Sequence, residues 1–119
     1  MSDLLMDVMT NPFARLAEGP PTIVTLCGST RFKEAFAKAN RDETLALKIV
    51  LSVGCYTHSD EELGLPDHMK RALDVLHKKK IDMSDEILVL NVGGYIGEST
   101  ASEIDYAIKH GKRVRYLED

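Results

Sequence analysis

The chain has 119 residues, 44% hydrophobic and 29% charged, with 19 acidic against 15 basic side chains and a net charge of −4. That is room for one domain with a core of its own, and too apolar for an intrinsically disordered chain. The acidic balance, the lack of Trp and the 6% aromatic content argue against a nucleic-acid binder, and no apolar run approaches the roughly 18 residues of a membrane span.

Residues 1–21 stand apart as an N-terminal arm or helix. Leu4, Leu5, Val8 and Met9 have helical spacing, Asn11-Pro12 interrupts it, and Gly19-Pro20-Pro21 ends it. Either an ordered helix packed on the domain or a neighbour, or a loose arm, fits this pattern. Residues 22–119 then form a single domain that alternates regularly. Thr22 to Cys27 is a β-branched run that reads as a buried strand. Gly28-Ser29-Thr30 is a turn, and Phe32, Ala35, Phe36 and Ala39 mark one helix face. Leu47 to Val53 is a second strand, closed by Gly54, and 57–66 is a polar loop ending in Pro66. Met69, Ala72, Leu73 and Leu76 mark a second helix that runs to about Met83. Glu86 to Val92 is a third strand. Ala101, Ile104, Ala107 and Ile108 mark a third helix, Gly111 its stop, and Arg113 to Leu117 a last strand.

Four strand–helix alternations with short connections predict an α/β fold. The expected architecture is a three-layer sandwich with a short parallel sheet of four to five strands, flavodoxin/Rossmann-like. In such sheets ligands bind beyond the carboxyl ends of the strands, at a topological switch point. Loops 28–31, 54–66 and 91–100 should therefore gather at one edge. The Lys78-Lys79-Lys80 run reads as a solvated helix end that complements the helix dipole.

Two stretches carry candidate chemistry. Gly28-Ser29-Thr30-Arg31 follows a strand and opens a helix, so free N–H groups and Arg31 suit an anion. It is neither a Walker A loop nor a dinucleotide fingerprint, and a strand-to-helix turn needs Gly and a cap for structural reasons alone. In Gly93 to Thr100, three glycines within five residues allow close backbone approach to a ligand. Thr100-x-x-Glu103 matches a capping box, in which Glu103 would only bond the backbone of Thr100. Glu103 also borders the buried face in the first turn of a helix at the ligand edge, where a carboxylate can act as nucleophile or base. Both readings stay open on spacing. His58, His68, His77 and His110 show no metal-ligand spacing with Cys27 or Cys55, so no metal site and no cofactor are expected. His77 lies beside the apolar helix face, where a satisfied, partly buried histidine is the default. The two cysteines make no disulfide framework and no secretory signal precedes them, so a reduced, cytoplasmic setting is expected.

Leu26-Cys27-Gly28-Ser29-Thr30-Arg31 resembles the opening of the nucleoside 2-deoxyribosyltransferase-like family, which includes the 2'-deoxynucleoside 5'-monophosphate N-glycosidases. Gly97 to Ala107 is similar to that family's Gly-Thr-x-x-Glu-(Ile/Leu)-Gly-Tyr-Ala signature. Gly111-Lys112 and the last strand follow in the family's order. The likeness runs over residues 22 to 117. It implies an N-glycosidase or deoxyribosyltransferase with Glu103 as nucleophile, acting on a nucleoside or nucleotide. It also implies that Cys27, Gly28, Ser29, Arg31, His58, Asn91, Gly97, Ser99 and Thr100 contact substrate. A leaving base needs a proton, and the family's usual aspartate falls at or near His77 here. His77, Asp82, Asp85 and Glu98 are the available substitutes, with His77 and Glu98 taken as the catalytic partners of Glu103. Asp105 stands where the family has glycine, and Asn91 where many relatives have an acid. Relatives continue beyond the fourth strand, so a homodimer or higher homo-oligomer is expected to complete the site. The altered acid leaves a second reading: a nucleotide-binding or sensing module without chemistry.

Overall fold

A computed structural model describes residues 10–56 and 64–119. Its elements are α1 (Pro12–Ala17), β1 (Ile23–Cys27), α2 (Lys33–Leu45), β2 (Ile49–Leu51), α3 (Asp67–Asp82), β3 (Glu86–Val89), a 3-10 turn (Val92–Gly94), α4 (Glu98–Lys109) and β4 (Arg113–Tyr116). All strand pairs are parallel, in the order β2-β1-β3-β4. The chain steps from β1 to one side and from β3 to the other. The switch point therefore lies between the carboxyl ends of β1 and β3.

Strand alternation builds two cores, one on each sheet face. Val24, Leu26, Leu88 and Leu90 point to one face and pack with Phe36 and Ala39 of α2. Cys27, Ile87 and Val89 point to the other and pack with Ile81 of α3 and Ala107 of α4. The sheet is thus covered on both sides, which is the expected sandwich. It also explains why β1 and β3 read as continuous apolar runs: a parallel strand buried on both faces has no polar side.

The elements differ from expectation mainly at their ends. β2 starts at Ile49 and not at Leu47, because Leu47 sits at φ 61, a left-handed conformation that ends α2 without a glycine. Pairing begins where the Ile49 amide donates to the Thr22 carbonyl at 2.9 Å. β3 leaves the ladder after Val89, and Asn91 opens the glycine turn. Gly111 at φ 72 ends α4 as the sequence indicates. α1 is short and largely exposed, with Phe13 at 84%. The rest of the N-terminal pattern, residues 1–9, lies outside the described residues, as does 57–63 of the expected loop. No helix among the described residues is long and apolar enough to cross a membrane.

Candidate active site

The turn after β1 is built by Gly28. A Cβ there would come within 3.1 Å of the Leu90 Cβ and 3.2 Å of the Leu90 carbonyl oxygen, so glycine lets β1 and β3 end side by side without displacing Leu90. Beyond it, Arg31 Nε donates to Ser29 Oγ at 3.1 Å, and its guanidinium lies 4.6 Å from the centre of the Tyr95 ring. Phe32 meets the same ring edge-on at 5.9 Å. The turn after β1 and the glycine turn after β3 are thereby tied together.

α4 begins earlier than the capping-box reading requires. Gly97 is its N-cap and Glu98 its first residue, with no side-chain cap. Thr100 is therefore already inside the helix and does not cap it. Glu103 lies in the second turn, not the first, and is released from any capping duty. Its side chain is instead directed toward the sheet, at 8% residue exposure.

A cleft of about 600 Å³ opens at the switch point. Gly28, Ser29, Arg31, His77, Gly97, Glu98, Ser99, Thr100 and Glu103 all line it, as the sequence led us to expect. Cys27 lies beneath its floor, fully buried. Asn91, also expected at the site, does not line it. Asn91 faces a separate recess, where its amide donates to the Glu118 carbonyl at 3.0 Å and its oxygen accepts the Glu118 N–H at 2.9 Å. That pairing makes Asn91 the clasp of the chain after β4, away from the cleft lining. His58 lies outside the described residues. Asp82 accepts from the Tyr106 hydroxyl at 2.6 Å and Asp85 from the Ile23 amide at 2.8 Å, and neither lines the cleft.

Asp74 was not anticipated. It sits one helical turn before His77 on α3 and lines the cleft, as do Lys70, Leu73, Leu76 and Lys80. Helical spacing from Leu73 and His77 was the available signal. The lysine run also divides: Lys78 donates to Ser102 Oγ at 2.8 Å and Lys80 to the Ser52 carbonyl at 2.6 Å. Two of the three are thus structural tethers, not a free charged face.

Three buried groups meet at the floor. Cys27 Sγ lies 3.6 Å from His77 Nε2, and His77 Nε2 lies 3.9 Å from Glu103 Oε1. Among the described residues this is the one cluster whose donor atoms, all within 4.8 Å of one another, have metal-ligand character. His77 Nε2 is also 3.1 Å from the Leu26 carbonyl oxygen. A carbonyl only accepts, so Nε2 carries the proton and its lone pair is not free for a metal. The trio reads as a proton-linked set.

Electrostatics separate its members. Burial drives the Glu103 carboxyl up to about 7; a hydrogen bond from Cys27 and the charge of Lys78 pull it down, while Asp74 adds to the rise. Burial, with the nearby charge of Lys80, holds His77 down at about 4 against the opposing bond to the Leu26 carbonyl. At neutral pH His77 is uncharged and Glu103 is poised between acid and carboxylate. Burial, then the Glu103 charge and bond, raise the Cys27 thiol well above its ordinary value, so it is a hydrogen-bond donor and not a nucleophile.

The sequence matches no protein-family model, no curated protein and no solved structure.

Proposed function

We propose that the protein cleaves the N-glycosidic bond of a nucleoside or nucleoside 5'-monophosphate, with Glu103 as the nucleophile. One observation carries the placement of the chemistry. Glu103 is a buried carboxylate lining a cleft at the switch point, and no lysine or arginine among the described residues forms an ion pair with it. A carboxylate kept there for stability would be paired with a cation. The nature of the substrate rests on the resemblance of Leu26–Arg31 and Gly97–Ala107 to the nucleoside 2-deoxyribosyltransferase-like family.

In this reading a Glu103 oxygen attacks the anomeric carbon as the bond to the base nitrogen breaks. The electron pair leaves with the base, which takes a proton. Water or a second base then attacks the anomeric carbon of the ester and returns Glu103 as carboxylate. His77 is a poor source of the proton, because it is neutral and its N–H is spent on Leu26. Among the described residues Asp74 and Glu98 are the other carboxyl groups that line the cleft, and in this reading Asp74 serves as the second carboxylate. The uncapped N–H groups at the start of α4, Ser99 Oγ and Arg31 would receive a 5'-phosphate.

The test is incubation with a panel of nucleosides and monophosphates, with free bases read by chromatography. Base release is expected for the wild type, with kcat/KM rising as pH increases through about 7, where Glu103 becomes charged. Glu103→Gln should lower release by about 10³-fold or more while the protein stays folded. Unchanged turnover in that variant sinks the assignment.

One observation favours a second reading. A neutral histidine stands at the family's aspartate position, which fits a nucleotide-binding or sensing module. Its outcome is a thermal shift with nucleotides and no free base. In either case the partner is a small molecule, in a cytoplasmic setting. Met69, Val75 and Leu76 are exposed on α3 near the cleft and support a homodimer or higher homo-oligomer. Sedimentation at the monomer mass would count against that assembly.

A further inference from the structure

We propose that Tyr95 is a positioning residue for Arg31: its ring holds the guanidinium at the cleft as a receptor for the phosphate of a nucleoside 5'-monophosphate. This rests on the reading above and narrows its substrate class from nucleosides in general to their monophosphates.

The backbone after β3 delivers the ring. Gly93 at φ 63 and Gly94 at φ 82 are both left-handed, and nothing lies within 4 Å of a Cβ built on either. These glycines therefore serve the turn and not a tight fit. The Tyr95 amide closes the turn by donating to the Val92 carbonyl at 3.1 Å. Tyr95 then leaves in an extended conformation and lines the cleft beside Arg31. Its side chain belongs to neither core and the residue is 42% exposed, so burial does not account for an aromatic residue there. Its contacts do. The Arg31 guanidinium carbon lies over the ring, 4.6 Å from its centre. Phe32, the N-cap of α2, meets the ring edge-on and steadies it. A Cβ on Gly97 would stand 3.1 Å from the Tyr95 hydroxyl oxygen, so the phenol end rests against the N-cap of α4. The ring thus spans from Arg31 to a helix start that no side chain caps.

Arg31 is held from two directions. The ring takes its face, and Ser29 Oγ accepts from Nε at 3.1 Å. Neither contact uses the two terminal amino groups, whose N–H bonds lie in the guanidinium plane. Among the described residues no carboxylate forms an ion pair with them. The other strongly placed cations are spent: Arg113 and Arg115 on Glu86, and Lys80 of the cleft on the Ser52 carbonyl. A stacked but unpaired guanidinium keeps a fork for an oxyanion. Stacking has already removed side-chain freedom that binding would otherwise cost. Beside the N–H groups of α4, that fork suits a phosphate dianion, whereas a neutral 5'-hydroxyl gains no charge interaction from it.

Two readouts on the wild type, Tyr95→Phe, Tyr95→Leu and Arg31→Gln test this. The first needs no turnover: binding of inorganic phosphate followed by ³¹P NMR. The second is base release from the 2'-deoxynucleoside 5'-monophosphates and from the matching nucleosides. The wild type should bind phosphate and prefer monophosphates. Phenylalanine keeps the ring and should keep both properties. Leucine should weaken phosphate binding by about fivefold. Arg31→Gln should weaken it at least as much, and adding Tyr95→Leu to it should change nothing further. In base release the loss should fall on KM for monophosphates, with kcat held and the nucleoside values unmoved. An equal loss for nucleosides and monophosphates shows a merely structural tie between two turns and overturns the proposal. So does wild-type phosphate binding in Tyr95→Leu, or a wild type that binds no phosphate. Phosphate binding that depends on Tyr95, with no base released from any substrate, keeps the receptor and removes the glycosidase reading. Base release with phosphate binding indifferent to Tyr95 does the reverse.

Discussion

Two buried glutamates stand at opposite ends of the same sheet, and their surroundings have opposite consequences. Glu86 opens β3 at the amino edge, with its side chain at 0% exposure. It accepts from Lys48 at 3.1 Å, from Arg113 at 2.6 and 3.0 Å, and from Arg115 at 3.1 Å. Arg115 also pairs with Glu43, and Lys48 with the same residue. Burial alone would raise the Glu86 carboxyl, but the Arg113, Arg115 and Lys48 bonds outweigh it and hold the group at about 2. Glu103, at the carboxyl edge, is nearly as buried, yet it has no such cage among the described residues, and it rises to about 7. Burial of a carboxylate does not by itself mark it as reactive. What sets Glu103 apart is that no lysine or arginine among the described residues pairs with it and that it lines an open cleft.

The comparison is broken most sharply by exchanging each carboxylate for its amide. Glu103→Gln should abolish base release and keep the fold. Glu86→Gln should do the opposite, with about 3 kcal/mol lost in denaturant unfolding and base release per folded molecule retained. The loss is tempered because the Arg113 side chain is 69% exposed and can regain water. Equal stability of Glu86→Gln and the wild type would show the cage to be inert.

Stability as a function of pH should separate the two sites next. Glu86 has a folded value below its ordinary 4.5, so its contribution is present above pH 4.5 and lost as pH falls toward about 2. Glu103 has a folded value above 4.5, so the wild type is penalised as pH rises from 4.5 through about 7. Relative to the wild type, Glu103→Gln should therefore gain stability over that interval, by an order of 2 to 3 kcal/mol. His77 adds stability above pH 6.5 that is lost as pH falls toward about 4. Urea midpoints between pH 4 and 8 check all three signs. A Glu103→Gln protein that becomes relatively weaker toward pH 8 would restore the capping role.

Smaller effects sharpen the picture. Gly28→Ala should cost about 1 to 2 kcal/mol, because the new methyl meets Leu90 at 3.1 Å, and should lower turnover by disturbing the turn. Thermal unfolding beside kinetics reads both. The smallest expected effect is none: a chelator should leave base release unchanged, since the His77 Nε2 lone pair is not free. Loss of activity on chelation, restored by a divalent metal, would turn the Cys27–His77–Glu103 trio into a metal centre.

Much of the fold is legible along the chain. β1 and β3 show themselves by apolar runs, α2, α3 and α4 by helical stripes, and the ligand edge by Gly28 and the Gly93-Gly94 turn. What misleads is the start of α4. Thr100 and Glu103 have the spacing of a capping box, but spacing does not say where a helix begins, and Gly97 starts it earlier. Asn91 misleads for a related reason. It ends the β3 segment beside the cleft, but its amide is held by Glu118, 27 residues away. Asp74 was overlooked because a polar residue on an amphipathic helix ordinarily faces water.

The sequence by itself determined the alternation, the two-faced strands, the glycine turns and the presence of Glu103 at the edge where ligands bind. Those follow from local periodicity and backbone freedom, which neighbouring residues set among themselves. Only the tertiary structure decided which carboxylate is caged and which is left bare. His77 comes to Cys27 across 50 residues, and Arg113 to Glu86 across 27. Charge and proton positions depend on such encounters, because a carboxylate's state is fixed by the donors packed around it and by the water they exclude.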